Sequence, residues 1–320
     1  MKQLIILSIL FTLVLSSCDY VNIPLEAPIP APIDTSTIDT SVTNIGVDAN
    51  GYPLIDTAAV NISTQKVFVE EFTGHSCTGC PAQSDKLLNL QADNGHEIIV
   101  ATYHEGIFAK VELPDYPTEM RTTFGGDLHS FVEQDIDAYP SAMVNRTVFA
   151  NFGNKYVFQA HNQWEGPIVE RVNQANPTIS MGVGAILNND QTFMKIRVSL
   201  KTEVNLSDEH RLLVLCIEDS VIAEQKDGRL DDSVYPHKIN TEYVHRHVVR
   251  SLVNTTPGLY GETVVPASGI SADEWINWEL NYDIPDNVVN AEHVIIVAAV
   301  FNVTTSEVVQ VEEVHAKHID

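Results

Sequence analysis

The sequence predicts an α/β domain followed by an all-β sandwich, and three observations lead to this fold class. Residues 66–103 show strand, helix and strand patterns in succession, which is typical of a βαβ unit. Beyond residue 176, short apolar runs recur between turn signals with little helical periodicity, which favours strands in series. The hydrophobic fraction of 44% is sufficient for two substantial cores.

Length and charge limit the organisation of the chain and its partners. A chain of 320 residues exceeds one ordinary small domain, so we expect two domains together with non-globular segments. The formal net charge of −25 would repel nucleic-acid backbones and anionic membrane surfaces. Nucleic acid is therefore not an expected partner.

Residues 1–17 are predicted to be a lipoprotein signal peptide. Lys2 supplies the positive flank, and the apolar run at 4–15 is too short to span a bilayer as a mature helix. The run ends in LSSC at 15–18, which resembles the bacterial lipobox, where cleavage precedes the cysteine and the thiol is lipidated. The resemblance implies that Cys18 carries a lipid anchor and that the mature protein contacts the membrane through it.

Residues 18–62 are predicted to be an acidic, proline-containing tether. The segment holds prolines and acidic residues throughout and no lysine or arginine. Because prolines favour an extended chain and like charges repel each other, we expect a stretched linker. An ordered strand somewhere within residues 45–60 is the alternative.

The α/β domain is predicted to span residues 63–175. A strand at 66–72 is rich in Val and Phe, and a second strand is expected at 97–103. A helix at 81–92 lies between them, since Pro81 suits the first helical turn, where its missing N–H is not needed.

The sandwich domain is predicted to span residues 176–320, in an Ig-like or jelly-roll arrangement. Turn signals such as NND at 188–190 separate its strands. Cys216 is expected to be a buried core thiol that acts as a small hydrophobe. We expect strands at residues 178–187, 193–204, 211–218, 243–252 and 293–303.

The stretch FTGHSCTGCP at 72–81 contains a CxxC motif formed by Cys77 and Cys80. Disulfides persist outside the cytosol, so one local cysteine pair and a single thiol at Cys216 are the expected arrangement. A zinc site would need a second CxxC or a CxxH motif at suitable spacing, and the sequence contains none. Neither a metal nor a cofactor is predicted.

A strand, a CxxC motif at a helix start and a later apolar segment opened by an X-Pro pair together resemble the thioredoxin fold. In that family the proline is cis and faces the disulfide, which implies this role for Pro140 in YPSAMVNR at 139–146. An insertion at 105–138 would then separate the two halves of the domain. Ser76 stands where thioredoxins place a tryptophan.

Glu71 matches a further feature of thioredoxins, which carry a buried acid six residues before the first cysteine. Strand alternation puts Val67, Val69 and Glu71 on one face. If that face is buried, desolvation would raise the pKa of the carboxyl and suit it to proton transfer with Cys80. The alternative is that Glu71 points to solvent and Glu70 points inward.

A wider set of motifs resembles the Omp28-related outer membrane lipoproteins. These motifs are EEFTG-x-x-C-x-x-CP, YPSAMVNR, LCIEDSVIAEQ and YVHRHVVRSL, and the resemblance covers most of residues 63–320. It implies a thioredoxin-like domain with a C-terminal β-sandwich. It also implies a lipid-anchored location in the outer membrane of a Gram-negative bacterium, at its periplasmic face or at the cell surface.

The leading predicted function is thiol–disulfide exchange on extracytoplasmic proteins. Cys77, near the positive end of a helix dipole, would attack a substrate disulfide as a thiolate, and Cys80 would resolve the mixed disulfide. The alternative is a non-catalytic surface binding or adhesion lipoprotein with a structural disulfide. A partly exposed Cys77 would favour exchange, and a wholly covered one would favour binding. The sequence leaves open whether the chain is an enzyme.

Two weaker site hypotheses concern the second half of the chain. His245 and His247 would share one strand face and could bind a metal with a carboxylate such as Glu242. A half-exposed strand with polar residues is the favoured explanation, because no third ligand has a defined spacing. Trp275 and Trp278 could line a ligand site, and partial burial in the sandwich is the alternative.

Overall fold

The structure, a computed structural model, describes residues 44–47, 53–55, 65–159, 163–172, 177–256 and 258–318. All of them belong to one compact unit, Thr40–Asp320. The predicted signal peptide, Cys18 and most of the predicted tether lie outside the described residues. Within the described ranges, no helix combines the length and the apolar character that a membrane crossing requires.

Two short strands lie in the segment predicted as tether. Strand β1 (Asn44–Val47) pairs antiparallel with β2 (Pro53–Ile55). Ile55 is buried, and its carbonyl accepts a hydrogen bond from Arg197 Nη1 at 3.3 Å. The ordered strand that the sequence offered as an alternative for residues 45–60 is therefore found here.

Strand, helix and strand follow each other as the sequence predicts, with bounds shifted by one residue or so. Strand β3 (Val67–Thr73) leads to helix α1 (Cys80–Asp93), and β4 (Ile98–His104) returns parallel to β3. Pro81 lies in the first turn of α1, as expected from its fixed φ. Both strands are buried along their whole length, because α1 covers one face and other elements cover the opposite face.

The segment predicted as an insertion is partly helical. Helix α2 (Thr123–Val132) begins after Thr122, whose hydroxyl accepts a hydrogen bond from the amide of Gly125. Strand β5 (Ser141–Val144) pairs antiparallel with β3, and the Tyr139–Pro140 bond before it is cis, as predicted. Strand β6 (Phe158–Gln159) and helix α3 (Glu165–Val172) follow, and the sequence analysis predicted neither.

The second half is built from strands, and the single strand predicted at 243–252 is two strands, interrupted at residues 246–247. The chain breaks there because His247 adopts a left-handed backbone conformation with φ 52°. The strands are β7 (Ile179–Leu187), β8 (Phe193–Thr202), β9 (His210–Glu218), β10 (Val221–Lys226), β11 (Ile239–His245), β12 (Val248–Leu252), β13 (Glu262–Val265), β14 (Trp275–Asp283), β15 (Val294–Asn302), β16 (Val308–His315) and β17 (Lys317–His318).

The strands form one large sheet and several smaller sheets. The large sheet has the order β16-β15-β9-β12-β4-β3-β5-β6, with β13 beside β9, and a second sheet has the order β14-β8-β7-β17. Strands β10 and β11 form a separate two-stranded hairpin. The fold is mostly β-sheet with few helices, which is consistent with a β-sandwich.

The large sheet joins the two halves of the chain. Strand β12 lies beside β4 in parallel, with Val248 opposite Thr102, and the amide of Thr102 donates to the His247 carbonyl at 2.8 Å. The boundary expected near residue 175 stays a prediction, since hydrogen bonds of a single sheet link the strands on its two sides.

Strand β9 is buried on both faces and shares two hydrophobic cores. Val214 and Cys216 pack in the core between the large sheet and the four-stranded sheet. Leu213 and Leu215 pack instead in a core that contains Phe68 of β3. A near-continuous apolar run is expected for a strand covered on both sides.

Candidate functional site

The two cysteines of the CxxC motif form a disulfide with a Cα–Cα distance of 5.5 Å. Cys77 lies in a turn after β3, where its amide donates to the Gly74 carbonyl at 3.0 Å. Cys80 is the first residue of α1, and Cys216 is a free, buried thiol. The expected division into one local pair and one single thiol is therefore what the structure contains.

Both sulfur-bearing residues are buried. Cys77 is 4% exposed and Cys80 is 1% exposed, whereas Thr78 and Gly79 between them are exposed. Exposure of Cys77, which the exchange mechanism requires, is thus a wrong expectation, and burial of Cys80 is as expected. Two segments distant in sequence form hydrogen bonds with the turn that contains Cys77.

The first covering segment, residues 225–229, is here called the latch. The amide of Lys226 donates to the His75 carbonyl at 2.7 Å, and the amide of Gly228 donates to the Thr78 carbonyl at 2.9 Å. These two bonds hold the main chain of the latch along the CxxC turn.

Side chains of the latch add further contacts. Gln225 Nε2 donates to the carbonyl of Cys77 at 3.1 Å and lies 3.4 Å from that of Gly74. Arg229 reaches α1, where its Nη1 lies 2.6 Å from Asp85 Oδ2. The latch therefore contacts both the CxxC turn and the helix that follows it.

The second covering segment, residues 107–110, lies on the other side of the turn. The amide and the hydroxyl of Ser76 both donate to the Phe108 carbonyl at 3.0 Å. His75 is fully buried, with Nε2 2.8 Å from the Lys110 carbonyl and its ring stacked on Tyr116. Ser76, at the position where thioredoxins carry a tryptophan, is used here to bind this segment.

The two covers are also tied to each other. The carboxylate of Glu224 on β10 accepts hydrogen bonds from the amide of Thr118 at 2.7 Å and from its hydroxyl at 2.9 Å. Thr118 belongs to the same stretch of chain as residues 107–110, so a displacement of one cover disturbs the other.

Glu71 lies beneath α1, on the strand face that the sequence assigned to it. Its carboxylate accepts hydrogen bonds from the Ser84 and Thr102 hydroxyls, both at 3.2 Å. Burial raises the pKa of Glu71 to about 7, and the two hydrogen bonds oppose this shift without cancelling it. A carboxyl with this pKa can exchange a proton near neutral pH.

Glu70 is buried as well, on the opposite face of β3. Arg146 holds its carboxylate with Nε and Nη2 at 2.6 and 2.7 Å, and the Tyr103 hydroxyl donates to it at 3.1 Å. The guanidinium also donates to the Leu259 carbonyl at 2.6 Å. The sequence offered Glu70 and Glu71 as alternatives for the inward residue, and both point inward because β3 is covered on both sides.

Two histidines lie in the same buried region as the disulfide. His104 Nε2 is 3.2 Å from His245 Nδ1, and both residues line a small cavity together with Cys80. Burial lowers the pKa of His245 to about 3 and lowers the pKa of His104 well below its usual value, so both rings are neutral.

The histidine hypothesis for a metal site is not supported by this arrangement. His245 ends β11 and pairs with His104, while His247 lies in the break before β12. Among the described residues, no group of three or more His, Cys, Asp or Glu side chains is arranged to hold a metal ion.

Pro140 is buried and directly precedes β5, whose Ser141 pairs with Phe72 of β3. It therefore lies near the end of β3 that leads to the CxxC turn. Of the two tryptophans considered for a ligand site, Trp275 is exposed and Trp278 is half-buried, with Nε1 2.9 Å from Glu262.

Comparison with known proteins adds a family and a fold. The family model of the outer membrane protein Omp28 matches residues 132–319, which is more than half of the chain. No curated protein sequence matches the chain significantly. The solved structure of HBP35 from Porphyromonas gingivalis has a TM-score of 0.59 and 13% identity, with 79% of this chain and 76% of that chain covered. That likeness shows a shared fold.

Two other solved structures are more distant in shape. A structural-genomics target from Agrobacterium tumefaciens has a TM-score of 0.43 at 13% identity, covering 80% of this chain and 97% of that one. A domain of the outer membrane lipoprotein Omp28 from Porphyromonas gingivalis is 22% identical over 45% of this chain and 92% of its own, with a TM-score of 0.28.

Proposed function

This chain belongs to the Omp28 family of outer membrane proteins, and we propose that it works there as a binding protein whose Cys77–Cys80 disulfide is structural. Membership gives the location, the outer membrane, that the sequence predicts. A lipid anchor on Cys18, surface ligands as partners and two domains at 63–175 and 176–320 belong to the same proposal. The protein needs no cofactor for this function.

The burial of Cys77 carries the proposal. An exchange catalyst must bring its nucleophilic sulfur into contact with a sulfur of the substrate. Cys77 is 4% exposed, and hydrogen bonds hold two separate segments against its turn. A substrate disulfide therefore has no approach to this sulfur while the covers are in place.

The test is turnover of a protein disulfide. The mature wild-type chain and the variant C77S/C80S are compared in the reduction of insulin by dithiothreitol. We expect equal rates, because neither protein presents a reactive CxxC. A wild-type rate clearly above that of the double variant would overturn the structural role of the disulfide.

We also propose that residues 63–175 form a thioredoxin-like unit. Its support is the parallel pair β3 and β4 with α1 between them, the CxxC motif at the start of α1, and the antiparallel β5 that follows Pro140. In the binding function this unit is a structural scaffold, and the CxxC motif forms a buried disulfide with no redox role.

Thiol–disulfide exchange on extracytoplasmic proteins is the second candidate, and Glu71 favours it. Glu71 lies beneath the helix that Cys80 begins, and a carboxyl there with a pKa of about 7 can accept a proton at neutral pH. In this function the reduced Cys77 attacks a substrate disulfide, and one substrate sulfur leaves as a thiolate that takes up a proton. Glu71 accepts the proton of Cys80, which attacks Cys77, releases the second substrate thiol and restores the Cys77–Cys80 bond. The substrate gains the two electrons that the CxxC pair loses.

Displacement of the latch separates the two candidates. A chain with a weakened latch should reduce insulin faster than wild type only if the site is catalytic. In that case, adding Glu71→Gln to the weakened chain should slow the reaction and flatten its dependence on pH near 7. If the weakened chain is no faster than wild type, the second candidate is wrong.

A further inference from the structure

We propose that the latch occupies, in cis, a peptide-binding groove on the CxxC face, and that the partner of this groove is a segment that turns at a glycine followed by an arginine. This inference rests on the proposed binding function and names its site and the chemistry of its partner. Its elements are the main-chain bonds, the contact with Asp85 and the space around Gly228.

The main chain of the latch binds the CxxC turn at two points. The amides of Lys226 and Gly228 donate to the carbonyls of His75 and Thr78, at 2.7 and 2.9 Å. Strand β10 ends at Lys226, and the latch then turns, with the Leu230 amide donating to the Asp227 carbonyl at 3.1 Å. Bonds between main chains supply binding without regard to the side chains of the bound segment.

Asp85 supplies the preference for a basic residue. Its side chain projects from α1 and accepts Arg229 Nη1 at 2.6 Å. Both side chains are about half exposed, at 44% and 42%, so the pair adds little to the stability of the fold. A charge pair at such a rim selects partners more than it strengthens their binding. The acidic character of the chain as a whole also attracts a basic segment.

The space at Gly228 limits the preceding residue. A Cβ atom built on Gly228 would lie 3.3 Å from the Thr78 carbonyl oxygen, which is closer than an ordinary contact. A larger residue at this point would require the segment or the Thr78 carbonyl to shift by a few tenths of an ångström. The groove therefore favours a glycine just before the arginine.

The latch includes the last two residues of β10, Gln225 and Lys226. Within the described sheets, β10 and β11 pair only with each other. Departure of this hairpin from the CxxC face breaks no ladder bond of the two larger sheets. A partner segment that carries the same bonding groups can therefore take the place of the latch.

The first measurement uses Cys216 as an internal reference. The mature chain is incubated with a phosphine reductant, and aliquots are pulsed with iodoacetamide and mapped by mass spectrometry. Labelling of Cys77 and Cys80 reports exposure of the disulfide, and labelling of Cys216 reports global unfolding. In Q225S/R229S, we expect the Cys77 rate to rise about tenfold while the Cys216 rate stays constant.

The matched control is R211S. Besides Asp85, Arg229 pairs with Asp227, two residues before it, with Nη2 2.6 Å from Oδ2. Arg211 pairs in the same way with Glu209, two residues before it, but it lies on β9, which takes no part in the latch. Its loss should leave both labelling rates unchanged.

The second measurement tests the groove itself. A synthetic peptide with the sequence of residues 223–231, AEQKDGRLD, is added to Q225S/R229S. It should return the Cys77 labelling rate toward the wild-type value, and a peptide with Glu in place of the arginine should not.

The outcomes distinguish the two proposals. Equal protection by both peptides, or by neither, would overturn the groove while leaving the covered disulfide intact. Labelling of Cys77 and Cys216 at one common rate in Q225S/R229S would show global unfolding alone and would also overturn the groove. If Cys77 of the wild-type chain is labelled as fast as Cys77 of the urea-unfolded chain, the disulfide is not covered, and the proposed structural role of the disulfide is overturned instead.

Discussion

Cys216 and the Cys77–Cys80 disulfide are both buried, but by different means. Cys216 lies in β9, which packs on both faces, and burial raises the pKa of its thiol to about 12. The disulfide is covered by residues 225–229 and 107–110, mainly through hydrogen bonds. Burial of the first kind is lost only with the fold, whereas burial of the second kind depends on a few local contacts. Low exposure alone therefore does not tell whether a sulfur is permanently inert.

The largest expected effect comes from Arg146→Ala, which should make Cys216 and the Cys77–Cys80 disulfide equally accessible to labelling. Glu70 would stay buried without its guanidinium partner, which costs roughly 3–5 kcal/mol of the free energy of unfolding. Cys77 and Cys216 should then be labelled together after addition of reductant, because global unfolding becomes their common route. Urea denaturation measures the stability, and a loss below about 1 kcal/mol would contradict the role of this pair.

Glu71→Gln tests burial by the core separately from burial by the latch, because this carboxyl is covered by the core and not by the latch. The folded-state pKa of about 7 lies above the ordinary value of 4.5, so the protonated carboxyl stabilises the fold. That contribution is complete below about pH 4.5 and is lost as the pH rises through about 7.

Relative to wild type, Glu71→Gln should therefore have little effect near about pH 4 and should raise the free energy of unfolding near about pH 8 by roughly 1–3 kcal/mol. Urea denaturation of both proteins at the two pH values gives the difference. The same difference at both pH values would mean that the carboxyl is not buried as described. Weakening the latch should leave this pH dependence unchanged.

Loss of the disulfide in C77S/C80S should have a moderate effect on the whole fold. The bond closes a short loop with a sequence separation of 3, for which the chain-entropy argument gives about 2 kcal/mol. Cys216 should be labelled correspondingly faster, since its exposure follows global unfolding. Unchanged labelling of Cys216 would indicate that the bond stabilises only its own turn.

Glu224→Ala should have the smallest effect, confined to the disulfide. It removes the acceptor of both Thr118 hydrogen bonds, worth about 1 kcal/mol net, so the Cys77 labelling rate should rise about fivefold. Cys216 should not respond. Glu242→Ala, an exposed glutamate on the other strand of the same hairpin, is the control and should change neither rate.

The sequence predicted the local parts of the site and missed the distant ones. Helix α1, its flanking strands and the inward side chain of Glu71 follow from periodicity and from Pro81, all within a short stretch. Burial of Cys77 could not be predicted in this way, because Gln225 lies 148 residues further along the chain. No local pattern encodes a contact of that separation.

Other misses have equally specific causes. The predicted strand at 243–252 mixes β-branched and polar residues, and the break at the left-handed His247 has no strong signal in the sequence. Strand β14 alternates exposed and half-buried residues along its whole length, and its polar alternate positions conceal it in a search for apolar runs. The partner of Glu70 could have been sought in the arginine of YPSAMVNR, the only cation of that motif.

The bond between β4 and β12 has a consequence for how the protein folds. Val248 follows Thr102 by more than a hundred residues, so the hydrogen-bonding edge of β4 stays open until a distant part of the chain has folded against it. An open strand edge of this kind invites pairing with other chains. Protection of this edge therefore depends on a slow, long-range step in folding.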